Sequence, residues 1–250
     1  MLTRRETILG GALTLMWSGC ACADMAGGAL GFGCMLAPAE AERLLAVATE
    51  PQLFDSADDT PIPSSGDRTF DYALAQTLSR LTDMFGVLPG FCFYDDSASA
   101  GAYATNATRM KKADGTVFYG KRYLAGHLRA AESPEAMVTA TCAHEFGHIV
   151  QYKHGIDLSK GQPTAKRQEL HADFFAGYFA GARKLQKPDY PAAVFAVSRH
   201  DIGDFSTGKD HHGTPDERVA AVVRGFDVAY RERRNFADAI QIGVNYASRL

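Results

Sequence analysis

The sequence predicts an α+β fold, mostly helical, with a small sheet ahead of its central helix. Three observations carry this. From Asp67 onward, apolar residues recur at three- and four-residue spacing between recognisable helix caps. Short runs rich in aromatic and β-branched residues are confined to positions 87–124. Two later segments, Ser133-Pro134-Glu135 and Thr214-Pro215-Asp216-Glu217, each put proline at the first position of a helix behind a hydroxyl cap.

The chain has 250 residues and a net charge of −3, which suits one domain with an N-terminal appendage. Its Lys and Arg are scattered rather than striped, which argues against nucleic acid as a partner. Residues 1–23 read as an export signal. Thr3-Arg4-Arg5 precedes the apolar run Ile8–Trp17, and Ala21-Cys22-Ala23 offers small residues for cleavage before Asp24. The paired arginines point to the twin-arginine route, and hence to the bacterial periplasm or cell envelope. Ten apolar residues are too few to cross a bilayer. Cys20 offers a lipoprotein-type alternative, which would tether the N-terminus to a membrane. Residues 24–66 carry little pattern, and Asp58–Gly66 reads as a linker, so the domain is taken as 67–250. Cys34 and Cys92 are the candidates for a single bridge, and Cys142 reads as packing.

Within the domain, Asp67 caps a helix with Phe70, Leu74, Leu78, Leu81 and Phe85 on one stripe, closed by Gly86. Val87–Tyr94, Ala102–Asn106 and Thr116–Leu124 read as strands. A small sheet in this position can offer its edge to an extended peptide. Ser133, Pro134 and Glu135 then open a helix of about twenty residues that Gly155 closes. A helix carrying Glu169 follows. After Pro188 and Pro191 comes another, to about Ser198, and a capping box at Thr214 and Glu217 opens one to about Tyr230.

The long helix contains His144-Glu145-Phe146-Gly147-His148, the pattern H-E-x-x-H. Residues i and i+4 stand one above the other on a helix, so both imidazoles can face one cation. Glu145 lies about 100° round the helix, within reach of a water on that cation. This residue set suits one catalytic Zn²⁺, with Glu145 taking a proton from the water.

Two residues compete to be the third ligand. His154 falls at the position of H-E-x-x-H-x-x-G-x-x-H, but Gln151 replaces the glycine that would break the helix, and no methionine follows Met137. If the helix continues, His154 faces away. Glu169 lies 21 residues after His148, far enough for a second helix to return against the first. Asp173, at i+4 from Glu169, would then hold the other ring nitrogen of His144 or His148. The apolar Phe174, Phe175, Tyr178 and Phe179 imply that this helix is buried, where a pair of carboxylates without a cation would be costly.

Three segments, His144–Gln151, Glu169–Gly177 and His212–Val219, together resemble the neutral zinc metallopeptidase family, and more distantly a group of membrane metallopeptidases. The resemblance covers residues 67–230 and implies a zincin-like, gluzincin-type fold; the expectation of a peptide or protein substrate comes from the zinc-and-glutamate chemistry of the motif, not from the resemblance. By it, His144, His148 and Glu169 are metal ligands and Glu145 is the base, with His212 and Arg218 as active-site supports. His212 leads as donor to the oxyanion, with His211 and Tyr178 as alternatives. Phe146 and Gly147 depart from the commonest form of the motif. The rival expectation is a non-catalytic binding module of the same fold that captures a protein or cell-wall component. The intact Glu145 weighs against it.

Overall fold

The computed structural model describes residues 60–108 and 113–250. Residues 1–59 lie outside it, and with them the stretch read as an export signal, Cys20 and Cys34. Seven helices and three strands among the described residues make a mixed α+β fold. They are α1 Arg68–Phe85, β1 Gly90–Tyr94, β2 Ala102–Thr105, β3 Thr116–Gly120, α2 Lys121–His127, α3 Pro134–His154, α4 Lys166–Gln186, α5 Ala193–His200, α6 Pro215–Tyr230 and α7 Phe236–Ala247. None of the described helices is long and apolar enough to cross a membrane.

Helix α1 follows its sequence signals. Asp67 Oδ1 accepts from the Thr69 and Phe70 amides, and Gly86 closes the helix at φ 63°. Its buried stripe, Leu74, Leu78, Leu81 and Phe85, faces the core. There Phe85 stacks on Phe236 at 4.7 Å and meets Phe175 at 6.0 Å.

The sheet has the order β1-β3-β2, with β1 parallel and β2 antiparallel to the central β3. Side chains alternate as a pleated sheet requires. Phe93, Val117 and Tyr119 enter the main core, while Cys92, Tyr94 and Phe118 form a smaller cluster on the other face with Tyr103. The outer edge of β1 is covered by Ile62, whose amide and carbonyl both bond to Phe93. The ordered domain therefore starts before Asp67, inside the stretch that reads as a linker. Among the described residues β2 is the open edge.

Two boundaries differ from expectation. The first strand begins at Gly90 rather than Val87, and the third ends at Gly120, where α2 begins. The cause of the second is Asp96, a buried residue in the β1–β2 connection. Its carboxylate accepts from the amides of Arg122 (2.6 Å) and Tyr123 (2.9 Å), capping α2 from 26 residues away. Gly120 is required there, because a Cβ would stand 2.1 Å from Asp96 Oδ2.

Helices α3 and α4 form the centre. Helix α3 is buried nearly all round between Val138 and Gln151, and α4 is buried without interruption from Leu170 to Gly181. Ser133 stands at the N-cap of α3, but in a left-handed conformation (φ 42°) with no side-chain bond; its carbonyl alone accepts from Ala136 and Met137. The capping box of α6 forms as the sequence indicates. Helix α7, capped by Asn235 through the Asp238 amide, has no counterpart in the sequence reading.

Candidate metal centre and its cleft

Helix α3 puts His144 and His148 on one face, and α4 brings Glu169 opposite them. His144 Nε2 lies 3.2 Å from His148 Nε2 and 3.3 Å from Glu169 Oε2, and His148 Nε2 lies 3.4 Å from Glu169 Oε1. Zinc bonds of about 2.0–2.1 Å in tetrahedral geometry imply ligand–ligand separations of about 3.3–3.4 Å. The three residues form the one potential metal group found among the described residues.

Both Nδ1 atoms are already engaged, which turns the Nε2 atoms toward the shared point. His144 Nδ1 donates to Asp173 Oδ1 at 2.7 Å, and His148 Nδ1 donates to Gln151 Oε1 at 2.8 Å. Asp173 is fully buried and takes a forked pair of bonds from Arg218, Nε at 2.7 Å and Nη2 at 3.0 Å. Arg218 thus holds Asp173, and Asp173 holds His144. The sequence left open which histidine Asp173 serves; Gln151 serves the other and was not singled out.

The electrostatics fit a cation. Burial opposes a charge on His144, but Asp173 and Glu169 outweigh it and lift the pKa to about 9. In the metal-free site its ring therefore holds a second proton, which an incoming metal displaces. Burial likewise opposes ionisation of Glu169, yet the histidines and Arg218 hold it at about 2, so it stays a carboxylate. Asp173 is driven below the usual carboxylate range by Arg218 and His144, against its burial.

His144 and Glu169 line a cleft of about 230 Å³ together with Glu145, His212, Arg218, Tyr123, Thr141 and Arg199. Glu145 is buried on α3, next in sequence to His144, and lines the same cleft. His212 reaches the cleft wall from the α5–α6 loop, half-exposed, with its backbone amide bonded to Asp204. The other candidates lie elsewhere. His154 ends α3 on the exposed side, because the helix runs straight through Gln151. His211 is bonded to Asp204 through Nδ1 at 2.6 Å, and the Tyr178 hydroxyl donates to the Arg234 carbonyl, which engages it away from the cleft. Tyr123 and Arg199 were not singled out from sequence. Their elements reach the cleft only through long-range packing.

No protein-family model, curated protein or solved structure matches the chain.

Proposed function

We propose that this protein is a zinc-dependent peptidase of zincin-like fold, in which His144, His148 and Glu169 hold the metal and Glu145 is the general base. What carries the reading is the convergence of the two Nε2 atoms, 3.2 Å apart, on the two carboxylate oxygens of Glu169 at 3.3 and 3.4 Å, with both Nδ1 atoms anchored and Glu145 lining the adjoining cleft. Two imidazoles and one carboxylate, with a fourth side open, make the donor set of a catalytic rather than a structural zinc site. Zinc held there supplies Lewis acidity and water activation near neutral pH.

The chain's own residues do the rest. Glu145 accepts the proton of the attacking water and returns it to the leaving nitrogen. His212 and Tyr123, which both line the cleft, are the candidate donors to the developing oxyanion. The open edge strand β2 leads into the cleft at Ala102, which suits a peptide added as a further strand. The export reading of residues 1–23 would put this activity in the periplasm or envelope.

The deciding experiment measures zinc by elemental analysis together with cleavage of a broad peptide library, with and without a chelator. Glu145→Gln should keep its zinc and lose roughly 10²-fold or more in hydrolysis, whereas Glu169→Ala should lose zinc. Cleavage that survives chelation, or full activity in Glu145→Gln, removes the proposal.

A further inference from the structure

Arg199 is the largest fully buried side chain of the described residues, with 1% of its surface exposed, and it lines the floor of the cleft. Its hydrogen-bond partners are neutral hydroxyls: Nη2 donates to Thr141 Oγ1 at 3.0 Å and Nε to Ser198 Oγ at 3.3 Å. Among the described residues no carboxylate comes within 4.0 Å of it. Glu169 shares the cleft but is engaged by both histidines, and Arg218 takes up Asp173. Glu145, one turn after Thr141 on α3, lines the same cleft but forms no ion pair with Arg199, and Tyr119 and His127 add no negative charge. Burial raises the Tyr119 hydroxyl well above its ordinary range, and burial together with Arg199 lowers His127 to about 4, so both are neutral at pH 7. Tyr119 bonds to His127 Nδ1 at 2.7 Å and to the Thr141 side chain, so Arg199 meets this neutral chain only through the Thr141 hydroxyl.

A buried guanidinium without a counter-ion is costly to a fold, since the desolvation of the charge goes uncompensated. The negative end of the short helix α5, on which Arg199 sits, offsets only part of this. The planar fork of an arginine is matched by a carboxylate, which can take two parallel N–H bonds.

We infer that Arg199 is a specificity-determining residue that receives a carboxylate of the peptide substrate at the floor of the cleft. The inference rests on the peptidase reading for the identity of its ligand. The missing counter-charge arrives with the substrate, either as a free C-terminus or as an Asp or Glu side chain. A peptide that presents a carboxylate to Arg199 is favoured over its neutral counterpart.

The test uses the full chain, immobilised, and a pool of random decapeptides in three forms: untreated, amidated only at the C-terminus, and amidated at every carboxyl group. Amidation of every carboxyl should cut retention by the wild type about tenfold or more. The loss should persist after zinc is chelated, and Arg199→Met should hold the three pools alike. C-terminal amidation alone separates the sources: a full loss identifies a chain-terminal carboxylate, and none identifies a side chain. Because the substitution removes an uncompensated buried charge, Arg199→Met should melt at or above the wild-type temperature. Equal retention of the untreated and fully amidated pools by the wild type would overturn the inference. So would undiminished preference in Arg199→Met, or a melting temperature of that variant well below wild type. Retention is read without turnover, so preference without cleavage removes the peptidase reading and leaves the subsite, and cleavage without preference does the reverse.

Discussion

His148 owes its orientation to an amide. Gln151 Oε1 accepts from His148 Nδ1 (2.8 Å) and from Gln168 Nε2 (2.6 Å), while its Nε2 donates to the Gln168 carbonyl (2.8 Å) and to His171 Nδ1 (3.1 Å). With two donors around its oxygen and two acceptors around its nitrogen, the amide can face only one way. It therefore fixes which nitrogen of His148 is free for a metal. Gln151→Leu should lower zinc affinity by roughly 10–100-fold, measured by competition with a chromophoric chelator, while Gln151→Glu, which keeps the acceptor, should lose much less. Equal affinity in Gln151→Leu and wild type would assign the glutamine to packing alone. At this scale the sequence was informative where one helix sets the spacing. His144 and His148 stand at i and i+4, as do Glu169 and Asp173, so each pair shares a face before any tertiary structure is known. It was silent where partners meet across elements. Gln151 looks like one more polar residue of α3, and nothing near Arg199 or Tyr123 in the sequence marks them as lining the same cleft.

The element that aligns the site from behind is α6, which carries Arg218. It lies almost backbone to backbone on α4, with glycines where the two helices touch. A Cβ on Gly177 would stand 1.9 Å from the Val222 carbonyl oxygen, and one on Gly225 would stand 1.8 Å from that of Phe174. Since helical φ is open to any residue, the constraint at both glycines is space rather than conformation. Gly225→Ala should push α6 away from α4, cost about 1–3 kcal/mol or more in urea denaturation, and loosen Arg218 from Asp173. Zinc affinity should fall in the same variant although residue 225 lines no part of the cleft; a loss of stability with affinity unchanged would uncouple the helix contact from the site. Helices α1, α3, α4 and α6 were legible because caps, periodic apolar residues or the motif itself mark them locally. Helix α2 was not, since the carboxylate that caps it belongs to Asp96, 26 residues back, and its Tyr123 and Leu124 extend the pattern of the strand before it. Helix α7 has the local signal of Asn235 followed at three residues by Asp238, a weaker mark than a capping box with proline.

For the molecule as a whole, two buried histidines outside the donor set make folding sensitive to acid. His171, fully buried on α4, is lowered by burial to about 3, and His127, on α2, is lowered to about 4 by burial and Arg199. An unfolded histidine titrates near 6.5. Both folded values lie below it, so the unfolded chain binds more protons in the intervening range. The contribution of each neutral ring is then complete above about pH 6.5 and is lost progressively as pH falls toward the folded value. Between pH 6.5 and 5 this amounts to about 2 kcal/mol for each histidine. His144 acts with the opposite sign. Its metal-free pKa is raised to about 9, so its contribution is complete below about 6.5 and is lost as pH climbs through 9. The metal-free chain should therefore be most stable near pH 6.5, with urea midpoints falling on both sides. Saturating zinc should abolish the alkaline fall, since metal binding removes the proton on which it depends. It cannot relieve the cost of protonating His171 and His127. His171→Leu should remove about half of the acid fall in the metal-free chain. An acid slope that this substitution leaves unchanged would place the titration elsewhere, in the carboxylates that Arg218 and the metal-site histidines hold ionised.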